Sequence, residues 1–499
     1  MRFSLLAAAF GMAMASSSAF ACTTVLVGSE ATADGSIFVA RSVDSSSLNP
    51  SLLVMHPAAV NKAGSKYRGS DNPEKATFEY PLPERTLSYS TGPDWDSHRY
   101  GGCGFNDAGL GVSATESIYA SDEVLKLDPY EKLGIKERDI ADVILAQAKT
   151  AKEGAALLGK IVETQGAGES FGVGFVDKDE AWYFEAGSGH QWLAQRLPKD
   201  KYFATGNQGR LQQYDPQSPD FMASKTLVSW AQEHGFYDPK KDGAFNFAKA
   251  YIRNDDRDVT YNYPRVWQIQ KMLTPSLKQD IALGSSFPVF AAPEKKVTLA
   301  DMKAILRNHY EAGELINHDP YSKGLRGDEP YRPISVFRAQ NTHVLQVRPE
   351  LPQAIGQINW FALGMSDLSV YVPFYHGLTQ FPKSYTAATD EADDESAYWK
   401  FRKLQTLVMT DYPTLAPIVK QSFAEFEAQT EKKCRAFETE YLKLAESNPQ
   451  AASKLLDDFN LGIANEAVAL AGKMTNKIYT QRTKDIEAAA PFKNRKKND

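Results

Sequence analysis

Cys22-Thr-Thr-Val-Leu-Val-Gly-Ser-Glu-Ala-Thr-Ala-Asp-Gly-Ser-Ile-Phe-Val-Ala-Arg-Ser-Val-Asp44 is the stretch that decides how this 499-residue chain is read. Thr23 to Gly28 is rich in β-formers, Asp34-Gly35 supplies a turn, and Ser36 to Ser42 is a second β-rich run, so the segment predicts a hairpin. With the bend centred near Thr32, Cys22 lies across from Arg41 to Val43, where opposed Cβ atoms stand roughly 4.5–5.5 Å apart. The hairpin thus carries Arg41, and Asp44 just beyond it, to the neighbourhood of Cys22. Upstream, Arg2 gives a charged start, Leu5 to Ala15 an apolar stretch, and Ala19-Phe20-Ala21 a small-residue cleavage site, the pattern of a secretion signal over residues 1–21. Cutting after Ala21 makes Cys22 the first residue. A terminal cysteine holds a thiol and a free α-amine together, and an amine with a pKa of roughly 7.7–8.0 can take the thiol's proton near neutral pH. The competing reading is a lipid-anchored cysteine, but Ala19 and Phe20 fill the positions where lipidation usually has Leu and a small residue.

Composition narrows the field. Hydrophobic residues make up 42% and charged residues 24%, the proportions of a globular protein. A net charge of -6 argues against broad nucleic-acid binding, and the basic run Lys493–Lys497 reads as a short solvated tail. Beyond the signal, no apolar run is long enough to predict a membrane span. Three cysteines (Cys22, Cys103 and Cys434) do not make a disulfide framework, and whether Cys103 pairs with Cys434 stays open. There is no CxxC or HExxH, and the eight histidines are scattered, so neither a metal nor an organic cofactor is expected. Gly101-Gly-Cys-Gly104 and Gly172-Val-Gly174 lack the third glycine of a nucleotide loop and read as turns and close-packed strands.

Further strands are expected at Gly109–Ser117, Phe171–Val176, Ala181–Glu185 and Gln191–Leu197, with one helix from Ile140 to Val162 weakened by Gly154 and Gly159. A helix near Leu299–His309 precedes strands near His343–Arg348, Ile355–Phe361 and Leu368–Val372. Past Asp390 the chain turns charged and nearly Gly-free, and Ser396–Leu407, Thr414–Leu444 and Ala451–Arg482 read as helices with a structural or oligomeric role. Hairpin groups separated by helices suggest stacked antiparallel sheets covered by helices, an α+β class.

The run Cys22 to Gly28, then Ala33-Asp-Gly-Ser36, then Arg41-x-x-Asp44, resembles the opening of the dipeptidase A family of cysteine peptidases, in the N-terminal-nucleophile hydrolase superfamily. Asn106 to Glu116, Glu180 to Glu185, Asn207-Gln208, Tyr331 to Ile334, Thr342 to Arg348 and Ser369 to Tyr375 resemble family blocks in the same order. Secernins, penicillin V acylase and bile salt hydrolase are similar at the opening. The resemblance implies a four-layer αββα sandwich over residues 22–385 with Cys22 at the end of a central strand, and the composition makes residues 386–499 a helical C-terminal extension packed on the core. The resemblance also implies a dipeptidase whose substrates are small peptides, and the signal pattern of residues 1–21 makes it an exported one.

The same resemblance implies roles. Cys22 would attack the scissile carbonyl, Arg41 would favour its thiolate, and Asp44 would hold the α-amine. Asn207 looks like the oxyanion-hole asparagine, a donor worth roughly 2.7–4 kcal/mol in the transition state. Arg265 occupies the place of a second site arginine and is taken as substrate-binding. Glu116 is the candidate for pairing with a substrate's free ammonium. Plainer readings stand beside these: a surface ion pair for Arg41 and Asp44, a turn residue for Asn207, and a strand-end carboxylate for Glu116. An acylase or amidase using the same unit, and a lipid-anchored non-catalytic binding protein, are the alternatives for the whole.

Overall fold

The hairpin around Cys22 becomes the middle of a sheet. The structure is a computed structural model that describes residues 21–95, 101–321 and 331–489, with the backbone alone at 21 and 114–116. The signal segment up to Phe20 and the tail Lys493–Lys497 lie outside the described residues. The first sheet runs β10 (Phe290–Ala291), β8 (Tyr202–Thr205), β1 (Ala21–Val27), β2 (Ile37–Asp44), β11 (Ala339–Val347), β12 (Gln357–Leu363) and β13 (Val372–Tyr375). The second runs β9 (Phe221–Ala223), β7 (Trp192–Arg196), β6 (Ala181–Ala186), β5 (Phe171–Val176), β4 (Gly111–Ser117) and β3 (Cys103–Phe105). Neighbouring strands in both sheets are antiparallel. Every residue of β2 is buried, the apolar Ile37–Ala40 and the polar Arg41, Ser42 and Asp44 alike.

The two sheets meet face to face. A Cβ on Gly174 in β5 would stand 2.8 Å from Val39 Cγ1 in β2, so glycine there lets the sheets close. Outside the second sheet lie α1 (Glu137–Leu145) and α2 (Ala151–Gln165), whose Ile140, Ile144 and Leu158 join Phe175, Trp182, Phe184 and Trp192 in one apolar cluster. The periodicity from Ile140 to Val162 predicts a single helix, but the structure has two. The break falls where Thr150 caps α2 through the Glu153 amide (3.1 Å) and Asp177 accepts the Ala151 amide (2.8 Å). Gly159 sits in α2 because a Cβ there would lie 2.1 Å from the Trp192 ring.

The outer face of the first sheet is covered by α4 (Leu299–Arg307) and by the C-terminal α5 (Ala397–Val408), α6 (Tyr412–Ser447) and α7 (Pro449–Ala489); α3 (Tyr263–Leu273) packs near β8. Polar ties reinforce this layer. Arg402 Nη2 donates to the Ala339 carbonyl at 2.6 Å, Arg348 pairs with Glu438 at 2.8 Å, and the Asn460 amide donates to the Pro373 carbonyl. The C-terminal helices therefore complete a four-layer αββα sandwich. The strand expected at Leu368–Val372 begins only at Val372, because Ser366–Leu368 forms a 3-10 turn. Among the described residues no helix is long and apolar enough to cross a membrane.

Candidate active site

The register of the central hairpin pairs Cys22 with Val43, Thr24 with Arg41 and Ala21 with Asp44. Side chains alternate along a strand, so Cys22 and Arg41 share the face turned toward the second sheet, and Asp44 stands on the other face. Arg41 Nη2 donates to Cys22 Sγ at 2.8 Å, and both residues are buried. On its other side Arg41 is paired in register with His343 of β11. That ring bonds Ser113 Oγ of β4 across the gap between the sheets (2.9 Å) and Asn341 Oδ1 (3.1 Å). Burial, and then the Arg41 charge, push His343 well below 6.5, so a neutral imidazole lies beside the guanidinium.

The other two cysteines differ in kind. Both Cys103 and Cys434 are free and buried, so they do not form a disulfide. Burial pushes the Cys103 thiol up to about 12 against small opposing effects of Asn359 and Arg41, and it pushes Cys434 up to about 11. Neither is placed to act as a thiolate at neutral pH.

The backbone of Cys22 is gripped from α3. Arg265 Nη1 donates to the Cys22 carbonyl and to Thr23 Oγ1 (3.0 Å). Its Nη2 donates to Asn207 Oδ1 (2.9 Å) and Asn262 Oδ1 (2.6 Å), and its Nε to the Tyr261 carbonyl (2.8 Å). A guanidinium has five N–H donors, and these acceptors occupy them, so Arg265 is placed as a clamp on the strand end with no donor left for a substrate. Asn207 Oδ1 also accepts from Cys22 N at 3.2 Å, while its Nδ2 donates to the Ser117 carbonyl at 3.1 Å. Asp44 accepts from Ser42 Oγ at 2.5 Å and pairs directly with Arg332. Burial would lower the Arg332 pKa, but Asp44 overcomes this and holds it above its ordinary value.

Residues 21–425 match the model of peptidase family C69. The chain belongs to this family. A probable dipeptidase of Salmonella dublin is 49% identical over 365 residues, covering 72% of this chain and 82% of its own. A probable dipeptidase of Latilactobacillus sakei is 31% identical over 400 residues, 79% of this chain and 82% of its own. The solved structure of penicillin V acylase from Agrobacterium tumefaciens aligns with 68% of this chain and 82% of its own at 13% identity, with a TM-score of 0.31.

In this C69 chain the structure brings Cys22, Arg41, Asn207 and Arg265 into one hydrogen-bonded group, with Asp44 at its margin. Glu116 lies in β4 opposite Gly172, next to a bulge, and its side chain is outside the description. Sequence reasoning missed Arg332, Asn262, His343 and Glu185. Arg332 and His343 sit inside quoted family blocks without any local sign of their partners. Glu185 carries a readable signal, an acidic residue ending the buried run Ala181-Trp-Tyr-Phe-Glu185. It accepts the amides of Arg210 (2.7 Å) and Leu211 (3.0 Å), fixing the loop that carries Asn207, and burial pushes its carboxyl up to about 7.

Proposed function

We propose that this C69 peptidase is an exported dipeptidase of cysteine type, with Cys22 as its N-terminal nucleophile once residues 1–21 are removed. The observation that carries the reading is the Arg41 guanidinium donating to Cys22 Sγ while Asn207 Oδ1 receives the Cys22 nitrogen. Two atoms of one residue are thereby held apart, the sulfur by a cation and the nitrogen by a neutral acceptor. The probable dipeptidases among its relatives favour short peptides with free ends as substrates.

In this reading the free α-amine takes the thiol proton as the sulfur attacks the peptide carbonyl, and the carbonyl oxygen gains the negative charge. Asn207 Nδ2, which donates to the Ser117 carbonyl, is the candidate donor to that oxygen as the charge develops. When the C–N bond breaks, the ammonium returns its proton to the leaving nitrogen. The acyl group remains on sulfur until water, deprotonated by the same amine, releases it as an acid. Arg265 keeps the terminus in place throughout through its bonds to Cys22 O and Asn207 Oδ1.

The test is single-turnover kinetics with a chromogenic dipeptide, followed by peptide mapping after acid quench. An acyl group on Cys22 is expected, and Cys22→Ala should remain folded without turnover. Hydrolysis at wild-type rate by Cys22→Ala would end the proposal. N-terminal sequencing of the exported protein should begin at Cys22, and faster turnover of N-acyl amino acids than of dipeptides would move the substrate class to acylase.

A further inference from the structure

Three arginines converge on the start of β1. Arg41 meets the Cys22 sulfur, Arg265 meets its carbonyl, and Arg332 lies close enough for its charge to act on Cys22. The Asp44 carboxylate pairs directly with Arg332. Asp258 stands further back, bonded to Asn262 Nδ2 at 2.5 Å and facing Arg253 at 3.8 Å. Tyr261 separates two of the cations, with Arg265 at 5.1 Å and Arg332 at 5.2 Å from its ring centroid. Arg338 donates to the Tyr261 hydroxyl at 3.0 Å, and three other described neighbours are uncharged near neutrality: His343 beside Arg41, the buried thiol of Cys103, and Tyr310, whose hydroxyl donates to the Arg332 carbonyl at 2.6 Å.

Asp44 stands opposite Ala21, one residue before the nitrogen that cleavage would free. An unmatched carboxylate there would bind the new α-ammonium and hold its proton. An ammonium cannot accept the thiol's proton, so such a pair would switch the base off. We propose that Arg332, by neutralising Asp44, keeps the α-amine of mature Cys22 unprotonated at neutral pH, and so is a positioning residue for the general base. The inference rests on the N-terminal-nucleophile reading above. Its physics is general, since an opposite charge favours a group's ionised form by about one to three pKa units and a like charge disfavours it. Arg332 removes the first influence and adds the second. No proton is gained or lost overall, because the amine accepts the thiol's proton in the attack and returns it to the leaving nitrogen.

The experiment is the pH profile of kcat/KM on a dipeptide for mature wild type, Arg332→Gln, Arg332→Lys and Asp44→Asn, with amine-acetylated wild type as control. The acid limb reports the free enzyme's base. Arg332→Gln should move its midpoint up by about one unit or more, Arg332→Lys should restore the wild-type midpoint, and Asp44→Asn should move it down. An unchanged midpoint in folded Arg332→Gln, with only a lower plateau, would overturn the proposal and make Arg332 structural. If that variant does not fold, an Asp44→Asn midpoint at or above wild type overturns it instead. Acetylated enzyme that keeps both rate and acid limb would sink the base reading itself, which is a different result from an unmoved midpoint in an otherwise amine-dependent enzyme.

Discussion

Two groups of buried charges, one under the C-terminal helices and one around Cys22, are built to different rules. Under the C-terminal helices the charges balance. Arg307 and Lys303 meet Glu427 at 2.6 and 3.8 Å, and Lys303 also meets Glu431 at 3.1 Å. Nearby, His309 pairs with Asp319 at 2.9 Å and faces Asp367 at 3.6 Å, while Lys420 meets Asp367 at 2.5 Å. Around Cys22 the contacts described are of another kind: Arg41 meets a sulfur, Arg265 a carbonyl and two side-chain amides, and Arg332 the Asp44 carboxylate. Pairing suits a structural layer, because an unmatched buried charge costs several kcal/mol. Cations turned onto a sulfur and a carbonyl suit the proposed site, which has to hold a thiolate and later an oxyanion. The difference teaches where to look for chemistry in this fold.

The largest effect that would break the comparison comes from Arg41. Arg41→Gln removes the cation bonded to the sulfur and should lower kcat/KM about 100-fold or more, near 3 kcal/mol, with an unchanged circular dichroism spectrum. A loss of less than about five-fold would mean the guanidinium is scaffold.

On the balanced side the expected effect is on stability. Burial would raise the Glu427 carboxyl, but Arg307 and Lys303 overcome this and hold it below its ordinary value. That stabilisation is present above the ordinary carboxylate pKa and is lost as pH falls through the depressed one. Glu427→Gln should therefore cost about 3 kcal/mol at pH 7 in denaturant titrations, less in acid, and leave kcat/KM of the folded enzyme unchanged. A cost that does not shrink in acid would contradict the ion-pair account.

The fold was legible from the sequence wherever the cause was local. Cys22 and Arg41 are nineteen residues apart in one hairpin, and the turn at Asp34-Gly35 fixes their register. The alternating and helical patterns gave most of the strands and the three C-terminal helices. What the sequence could not give was partnership at long range: Arg332 reaches Asp44 across 288 residues, and Arg265 reaches Cys22 across 243. The spacing Arg41-x-x-Asp44 suggests a pair, yet in a strand such residues point to opposite faces. Arg265 reads as substrate-binding from its place in the chain, and only the geometry reveals its donors spent on the terminus.

A smaller effect concerns His309. Burial opposes its charge, but bonds to Asp319 and Asp367 win and raise it to about 9. A histidine raised above its unfolded value near 6.5 stabilises fully below that pH and loses the contribution as pH passes through about 9. His309→Gln should cost about 1–2 kcal/mol at pH 6 and progressively less as the pH rises from about 6.5 to about 9. A constant cost across that window would mean the ring is uncharged. Smallest of all, Cys103→Ala should leave kcat/KM within about two-fold, because a thiol held at about 12 takes no part at neutral pH.

The most direct test of the central claim uses two proteins that differ by one residue, one beginning at Cys22 and one retaining Ala21 before it. Retention turns the α-amine of Cys22 into an amide, which cannot act as a base, and leaves the sulfur and its Arg41 contact in place. The account predicts equal melting temperatures and a kcat/KM lower by at least about 100-fold in the longer protein, the range spanned by general-base catalysis. Equal rates for the two would contradict it.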